Sequence, residues 1–272
     1  MQRVIVLAVA AVLLAGCATT VDPGDRRVIN VEAGASPAGA QLSQSMNALV
    51  MRTSPSYVTL IVHESQKQGK TNSDLLPEAL TSGSGFVIDA AGHVITAGHV
   101  ALDKGYTVDA TSFDGRLYRG RVVAVSRSPD MALIQLSDFS GQPVEPAPSP
   151  CMGRREAVFS LGKPHAQGDT ARIGSVESMS FGRPVSYNGF GYSDAIVLTM
   201  STRKGESGGP VFNASGELTG MLVSTLSDGN GRPLNLAHAI STASLARFVC
   251  ANTSCSPRWQ ALSRSDVNRC PA

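Results

Sequence analysis

The sequence has little net charge and few charged residues of either sign. Lysine and arginine number 23 and aspartate and glutamate 21 among 272 residues, and charged side chains make up 16% of the chain. A protein that binds a nucleic-acid backbone usually concentrates basic side chains on one surface, and no such cluster stands out in this sequence. The composition therefore argues against nucleic acid as a partner.

The sequence also lacks an apolar run long enough for a transmembrane helix, which needs about 20 residues. An apolar segment at residues 4–14 follows the basic Arg3 and leads into Leu-Ala-Gly-Cys at residues 14–17, which looks like a lipobox. These features predict a lipoprotein signal peptide over residues 1–16 and a lipid on Cys17.

The predicted lipid on Cys17 would place the protein in the cell envelope, anchored to a membrane. Because Ala18 follows the cysteine rather than an aspartate, the expected location in a Gram-negative host is the outer membrane, facing the periplasm. Small, charged and turn-forming residues then predict a flexible tether, so that residues 17–38 form a lipidated linker. The alternative is a secreted protein with an unmodified Cys17.

The remaining four cysteines do not form two short paired clusters, as a structural zinc site would require. An even number of cysteines in an oxidising compartment instead predicts two disulfides, for which four cysteines allow three connectivities. We favour Cys250 with Cys255 and Cys151 with Cys270. The first pair closes a small loop, and the second tethers the C-terminal tail to the folded domain.

The most informative motif is Gly-Glu-Ser-Gly-Gly-Pro at residues 205–210. Glycines allow an unusual backbone and the close approach of a substrate carbonyl to the amides of Gly205 and Ser207. The same residues also suit an ordinary tight turn between strands. The motif indicates a nucleophile only if a histidine and an aspartate occur in matching contexts.

Both partners are present. Residues 86–88 and 94–96 are apolar and β-favouring with turn residues between them, so His99 falls just beyond the end of a strand. His93 lies beside the turn and is interpreted as solvated. Asp130 stands directly before a strongly apolar run, where a partly buried carboxylate can orient a histidine ring.

Three motifs in the order His, Asp, Ser resemble those of trypsin-like serine peptidases of the chymotrypsin fold. They are Thr-Ala-Gly-His at 96–99, Asp-Met-Ala-Leu at 130–133 and the segment 205–210. Their compact spacing and the Gly-Ser-Gly-Phe-Val-Ile run at 83–88 resemble the bacterial HtrA-type, or DegP-like, branch. The resemblance covers residues 55–250, and three motifs in one order are more specific than any one of them.

The resemblance implies a role for each matching residue. Ser207 would attack the scissile carbonyl, His99 would take and later return the proton, and Asp130 would hold the histidine tautomer. The amides of Gly205 and Ser207 would form the oxyanion hole. This chemistry requires no metal or organic cofactor.

The resemblance also indicates the specificity pocket. Ser201 would lie at its base, and Val223, Ser224 and Ala237 near its walls. No aspartate occupies the base, so a small or medium apolar residue before the cleaved bond is expected. The alternative is acidic substrates, drawn by three cationic side chains: Arg203, Lys204 and His238.

Glu206 departs from the aspartate or asparagine common at this position in relatives. In members activated by cleavage an acid there pairs with a new amino terminus, and this chain offers no obvious free terminus. Glu206 is therefore interpreted as a surface or loop charge.

The implied fold is all-β, with two packed six-stranded antiparallel β-barrels, short N- and C-terminal helices and the triad in the cleft. The peptidase domain is expected over residues 39–250, followed by a cysteine-containing tail at 251–272 that is too short for a PDZ domain. Apolar residues at i, i+4, i+7 and i+8 predict the first helix from about residue 37, and Ser241 or Thr242 would cap the last. The strand-like segments are residues 57–62, 118–125, 131–136, 157–161, 174–180, 196–200, 210–213 and 218–224.

Two functions fit this sequence. The leading hypothesis is a lipid-anchored serine endopeptidase that acts on envelope proteins, with protein or peptide substrates as its partners. The competing hypothesis is an inactive or latent lipoprotein of the same fold that acts in binding or as a chaperone. The sequence does not specify the oligomeric state.

Overall fold

The computed structural model describes residues 29–32, 37–65, 78–139, 141–165 and 168–270, with the backbone only for residues 37–44. The predicted signal peptide and Cys17 lie outside the described residues. Among the helices within them, none is both long and apolar enough to cross a membrane.

The first half of the chain closes into a six-stranded antiparallel barrel, in the order β2-β3-β4-β7-β6-β5. The sequence suits a closed barrel because buried and more exposed residues alternate along its strands, and every second residue of a barrel strand faces the interior. In β5, for example, Val108, Ala110 and Ser112 are buried and the residues between them are partly exposed. The strands are β2 (Tyr57–His63), β3 (Ala79–Val87), β4 (His93–Thr96), β5 (Thr107–Ser112), β6 (Leu117–Ser126) and β7 (Met131–Leu136).

The second half forms another six-stranded antiparallel barrel, in the order β8-β9-β12-β15-β14-β13 and back to β8. Outside this barrel, β10 (Val185–Tyr187) and β11 (Phe190–Tyr192) form a separate hairpin between β9 and β12. The strands of the barrel itself are β8 (Ala157–Gly162), β9 (Thr170–Ser178), β12 (Ile196–Thr199), β13 (Pro210–Asn213), β14 (Leu218–Ser227) and β15 (Pro233–Ser241). The expected pair of six-stranded barrels is confirmed.

A short strand near the amino terminus adds to the second barrel. This strand, β1 (Asn30–Glu32), pairs in parallel with the edge of β9, with Asn30 opposite Thr170 and Glu32 opposite Arg172. The prediction of a flexible linker through residue 38 therefore does not hold for these three residues.

Four α-helices and two short 3-10 helices complete the described chain. The α-helices are α1 (Pro37–Thr53), α2 (Gly98–Ala101), α3 (Thr242–Asn252) and α4 (Pro257–Ser263), and the 3-10 helices are Ser54–Ser56 and Val267–Arg269. Met46, Leu49 and Val50 of α1 are buried, as the apolar repeat predicts. The side chain of Ser241 caps α3 by accepting a hydrogen bond from the Ser244 amide, which satisfies a donor in the first turn.

The two favoured disulfides are present. Cys151 is bonded to Cys270 and Cys250 to Cys255, with Cα–Cα distances of 5.2 and 5.1 Å. The first bond joins the end of the chain to the segment before β8. The second joins Cys250 of α3 to Cys255 in the connection before α4, and Trp259 of α4 is buried against the domain.

Candidate active site

Strand pairing in the first barrel brings His99 and Asp130 together. Strands β4 and β7 are antiparallel neighbours with Thr96 opposite Ala132, so the end of one strand meets the beginning of the other. His99 follows β4 in the short helix α2, and Asp130 immediately precedes β7. Both residues therefore project from the same rim of the barrel.

The Asp130 carboxylate binds His99 through both of its oxygens. Oδ2 lies 2.7 Å from His99 Nδ1, and Oδ1 accepts a hydrogen bond of 2.8 Å from the His99 backbone amide. The Asp130 side chain is fully buried, whereas the His99 side chain is 25% exposed. The carboxylate thus holds the ring through Nδ1 and leaves Nε2 free of this contact. A general base needs this arrangement, because its second ring nitrogen must be able to accept a proton.

A third side chain, Tyr187, joins this pair from the β10–β11 hairpin. Its hydroxyl donates a hydrogen bond to Asp130 Oδ2, and its ring meets the His99 ring edge-on with centroids 5.4 Å apart. Burial raises the pKa of Tyr187 far above its ordinary value, and the Asp130 charge adds to that rise. The phenol therefore stays protonated and remains a donor. No sequence signal marks Tyr187, because its partners are distant in the chain.

The loop between β12 and β13 carries Ser207. Gly205 and Gly208 in this loop have φ of +99° and +84°, a region that favours glycine. A Cβ on Gly205 would lie 2.3 Å from the Lys163 carbonyl oxygen, so this position has no room for a side chain. The glycines predicted from the motif are thus required by the backbone.

Contacts with the first barrel hold this loop in place. The Ser84 hydroxyl in β3 donates to the Gly205 carbonyl at 2.9 Å, and the Ser84 amide donates to the Ser207 carbonyl at 2.9 Å. The Lys204 carbonyl accepts a hydrogen bond of 3.1 Å from the His165 amide. These contacts use the carbonyl groups of the loop. The amides of Gly205 and Ser207 have no hydrogen-bond acceptor among the described residues and are therefore available as donors, as an oxyanion hole requires.

Ser207 and His99 line one cavity of about 730 Å³. Within the described residues they share no hydrogen bond, because the Ser207 hydroxyl donates instead to the Val223 carbonyl at 3.3 Å. Catalytic hydrogen bonds are often long or misaligned before substrate binds, so this rotamer is compatible with a nucleophile. The structure brings Ser207 and His99 to one cleft, with Asp130 buried against His99 and the serine hydroxyl turned toward β14.

The cavity includes only part of the predicted specificity pocket. Val223 and Ser224 line it, whereas Ser201 is exposed and Ala237 is buried within β15, both outside the lining. The neighbouring residue Thr202 lines the cavity, and its hydroxyl lies 2.5 Å from that of Thr225. The pairing of β14 with β15 shifts register between Leu222 and Ser224, beside the lining residue Val223, and the sequence does not reveal this shift.

His238 also lies outside the cavity lining. Its ring is buried, with Nδ1 2.7 Å from the Tyr192 hydroxyl and the Phe181 ring 4.3 Å away between centroids. Burial lowers the pKa of His238 to about 4, and burial raises the pKa of Tyr192 to about 12, so both are neutral near pH 7. Arg203 and Lys204 remain as the cationic side chains that line the cleft.

Glu206 lies in a loop, as interpreted, but the interpretation of it as a surface charge is wrong. Its side chain is 1% exposed and forms an ion pair with Arg172 of β9, which is 2% exposed. Burial raises the pKa of the Glu206 carboxyl, while the Arg172 guanidinium and the Arg203 amide oppose that rise by stabilising the carboxylate. The arginine is 34 residues from its partner, which is why the local sequence does not reveal the pair.

Residues 83–221 match the family of trypsin-like peptidase domains. The serine endoprotease DegS of Escherichia coli (strain K12) is 30% identical over 186 residues, which are 67% of this chain and 49% of that protein. The periplasmic serine endoprotease DegP of Salmonella typhimurium is 31% identical over 151 residues, which are 55% of this chain and 31% of that protein. The chain thus spans at most about half the length of these curated relatives.

Among solved structures, the inactive form of the Rv3671c protease matches with a TM-score of 0.61 at 21% sequence identity. The match covers 83% of this chain and 100% of the other. At this identity the likeness supports the fold alone. The family match spans the segment that contains all three motifs, and the protein belongs to the trypsin-like serine peptidases, with relatives of the bacterial HtrA type.

Proposed function

We propose that this protein is a serine endopeptidase that hydrolyses peptide bonds through an acyl-enzyme intermediate. The observation that carries the proposal is a single cleft lined by Ser207, His99 and Gly205. Buried Asp130 holds the His99 ring, and the amides of Gly205 and Ser207 have no acceptor among the described residues. A binding surface needs none of these features together. Family membership supports the same reaction class.

The proposed reaction has two steps, formation of an acyl-enzyme on Ser207 and its hydrolysis by water, and both steps use the same catalytic groups. His99 Nε2 takes the Ser207 proton as Oγ attacks the scissile carbonyl, and the amides of Gly205 and Ser207 stabilise the resulting oxyanion. His99 then protonates the leaving amine. In the second step His99 activates a water that hydrolyses the ester and returns the proton to Ser207. Asp130 stabilises the imidazolium in both steps.

Tyr187 completes the support of the proposed base. Its hydroxyl and the His99 ring nitrogen share the same carboxylate oxygen, so the Asp130 carboxylate is held on two sides. We infer that Tyr187 acts as a positioning residue, because it contacts Asp130 and the edge of the His99 ring rather than the nucleophile.

Labelling with a fluorophosphonate probe tests the proposed activity. We expect the wild type to be labelled, Ser207→Ala to lose labelling, and His99→Ala to react much more slowly. Ser263→Ala, which changes a partly exposed serine in α4, should be labelled like the wild type. A folded wild type that resists the probe, even with peptides present, would favour the binding or chaperone-like function. The Ser207 rotamer toward Val223 is the feature that favours that second candidate.

The proposed substrates are proteins of the cell envelope, cleaved after small or medium apolar residues. The cleft is lined by Val223 and by the uncharged side chains of Thr202, Ser224 and Thr225, and no acid lies among its lining residues. A peptide series that differs only in the residue before the cleaved bond tests this preference. Fastest cleavage after glutamate or aspartate would instead assign a substrate-binding role to Arg203 and Lys204.

The proposed anchor is a lipid on Cys17, with the protein at the outer membrane of a Gram-negative host. Mass spectrometry of the amino-terminal peptide from the native protein tests this directly. We expect a lipidated cysteine at the new terminus, and Cys17→Ala should move the protein from the membrane to the soluble fraction. A soluble wild type with an unmodified cysteine would overturn the anchor and leave the peptidase proposal intact.

A further inference from the structure

A chain of charges links the amino-terminal strand to the loop of the nucleophile. The Arg172 guanidinium donates through Nε to Glu206 and through Nη1 to Glu32, so one buried cation bridges two carboxylates. Its third nitrogen, Nη2, has no hydrogen-bond partner among the described residues. Arg172 therefore depends on these two carboxylates for its ion pairing within the described structure.

Glu206 is the residue between the two proposed oxyanion donors. The amide of Ser207 belongs to the peptide bond that follows Glu206, and the amide of Gly205 lies one residue before it. Glu206 Oε2 accepts a hydrogen bond of 2.6 Å from the Arg203 amide, which closes residues 203–206 into a tight ring. Fixing the Glu206 side chain therefore fixes the direction of both donor amides.

The Glu206 side chain packs closely against Gly162. A Cβ on Gly162 of β8 would be 2.9 Å from both Cβ and Cγ of Glu206, so the glycine makes room for it. The carboxylate then points at Arg172 on the neighbouring strand β9. A buried carboxylate without this partner would be strongly disfavoured, and the loop would have to move to solvate it.

Glu32 comes from an element that is only lightly attached. Strand β1 has three residues, all exposed, and it pairs with one neighbour. The Glu32 side chain is 43% exposed, whereas its partner Arg172 is 2% exposed. Short edge segments with few buried contacts open more easily than core strands. We therefore expect β1 to detach from β9 at a lower free-energy cost than a barrel strand.

We propose that docked β1 positions the oxyanion hole, with Glu32 acting through Arg172 and Glu206 on the amides of Gly205 and Ser207. This inference rests on the proposed peptidase function for its catalytic consequence. When β1 is docked, Arg172 is held by two carboxylates and the loop is ordered. When β1 is released, Arg172 loses one of its two acceptors and the loop loosens. The segment that precedes the barrels thereby controls turnover without touching substrate.

The test compares Glu32→Gln with a matched control, Glu177→Gln. Both glutamates have side chains that are 43% exposed, both pair with an arginine, and Glu177 lies in β9, the strand that carries Arg172. They differ in the partner, because Arg154 is 63% exposed whereas Arg172 is 2% exposed and also pairs with Glu206 of the loop. Hydrogen–deuterium exchange of peptides covering residues 203–209 reports loop order in the full-length protein whether or not it is active.

In Glu32→Gln we expect faster exchange over residues 203–209, and kcat about tenfold lower with KM within about twofold, since oxyanion donors act on the transition state. Glu177→Gln should match the wild type in hydrogen–deuterium exchange and in kcat and KM. Arg172→Lys keeps the charge but loses the planar guanidinium that binds Glu206 and Glu32 through separate nitrogens. We expect it to speed exchange and lower kcat more than Glu32→Gln does.

The two proposals fail in different ways. A wild type that neither turns over peptides nor reacts with a fluorophosphonate removes the peptidase function, and the exchange data still decide whether β1 orders the loop. Equal exchange over residues 203–209 in Glu32→Gln and Glu177→Gln overturns the role of β1, whatever the activity. Faster exchange with unchanged kcat also overturns it, because the loop order would then have no catalytic consequence.

Discussion

The first barrel positions His99 and Asp130 through two neighbouring strands, whereas the second barrel presents Ser207 on a loop that depends on distant contacts. Strands β4 and β7 are hydrogen-bonded along four residue pairs, and the histidine and the aspartate lie at their ends. The Ser207 loop is held by Ser84 of the first barrel and by Arg172 of β9. The proposed proton-transfer half of the site is therefore set by sheet register, and the proposed oxyanion half by hydrogen bonds and an ion pair with distant residues.

This difference makes the two halves sensitive to different changes. A carboxylate in the first barrel has a precise chemical role that an isosteric change can remove without altering the fold. The loop in the second barrel can lose its order through a change far from the catalytic atoms.

The largest expected effect comes from Asp130→Asn in the first barrel. The amide has nearly the shape of the carboxylate, but its NH2 group donates where the carboxylate accepts a hydrogen bond from His99 Nδ1–H, so the ring is held in the wrong tautomer. A loss of about 10⁴ in kcat is expected for such a change. Steady-state hydrolysis of a peptide substrate measures it.

The first barrel offers a matched control for this substitution. Asp89 and His93 form a second pair, with Oδ2 2.6 Å from Nδ1 and a hydrogen bond of 3.1 Å from the His93 amide to Oδ1. This pair lies outside the lining of the proposed active cleft. Asp89→Asn should leave kcat unchanged, and an equal loss in both variants would contradict the assignment of Asp130.

Gly205→Ala should have the next largest effect and acts on the second barrel. The new methyl group would meet the Lys163 carbonyl oxygen at 2.3 Å and the His165 ring at 2.6 Å, at a φ of +99°. The loop must shift, and losing an oxyanion donor typically costs a factor of about 10² to 10³ in rate. Rates of fluorophosphonate labelling measure the loss.

Gly229→Ala is the control for the glycine substitution. Gly229 lies in the turn between β14 and β15, with no atom within 4 Å of a built Cβ. We expect labelling at the wild-type rate for this variant. If Gly205→Ala also retained the full rate, the loop would not be the rigid element described above.

A smaller effect is expected for Tyr187→Phe, which tests a contact between the two halves. The phenylalanine keeps the ring against His99 and removes the hydrogen bond to Asp130, so we expect kcat to fall about tenfold with little change in KM. Tyr118→Phe changes a tyrosine whose ring packs on Phe139, away from the cleft, and should not alter kcat. Identical kinetics for Tyr187→Phe and the wild type would exclude a positioning role.

The smallest effect on activity is expected for His238, whose contribution is to stability. Its pKa in the folded protein is about 4, below the ordinary value of 6.5, because the ring is buried. The unfolded chain therefore binds the proton more readily between these values, so the stability contributed by neutral His238 is present above about pH 6.5 and is lost as the pH falls toward 4. In His238→Gln, Tm should decrease less over this interval than in the wild type. Parallel decreases in the two proteins would contradict the buried, neutral state.

The sequence predicted the parts of the site that local patterns encode. His99, Asp130 and Ser207 each sit in a short motif at the end of a strand or in a glycine-rich turn. The paired barrels follow from short strands and turn residues together with the resemblance. The number of cysteines predicted two disulfides with three possible connectivities, and the favoured connectivity is the one in the structure.

The parts that the sequence missed all depend on partners far apart in the chain. Tyr187 lies 57 residues from Asp130, and Glu32 lies 140 residues from Arg172. Thr202 rather than Ser201 lines the cleft, because the path of the backbone beside β14 turns one side chain inward and its neighbour outward. No local motif carries this information.

The sequence by itself determined which residues can perform the chemistry and where the glycines permit an oxyanion hole, because these depend on residue type and on neighbours within a few positions. Only the tertiary structure decided how that chemistry is supported. Sheet register and barrel closure bring Tyr187 to Asp130, bury Glu206 against Arg172 and dock Glu32 beside them. A buried charge must find its partner wherever the fold places one, so these pairs are properties of the closed barrels and not of any segment.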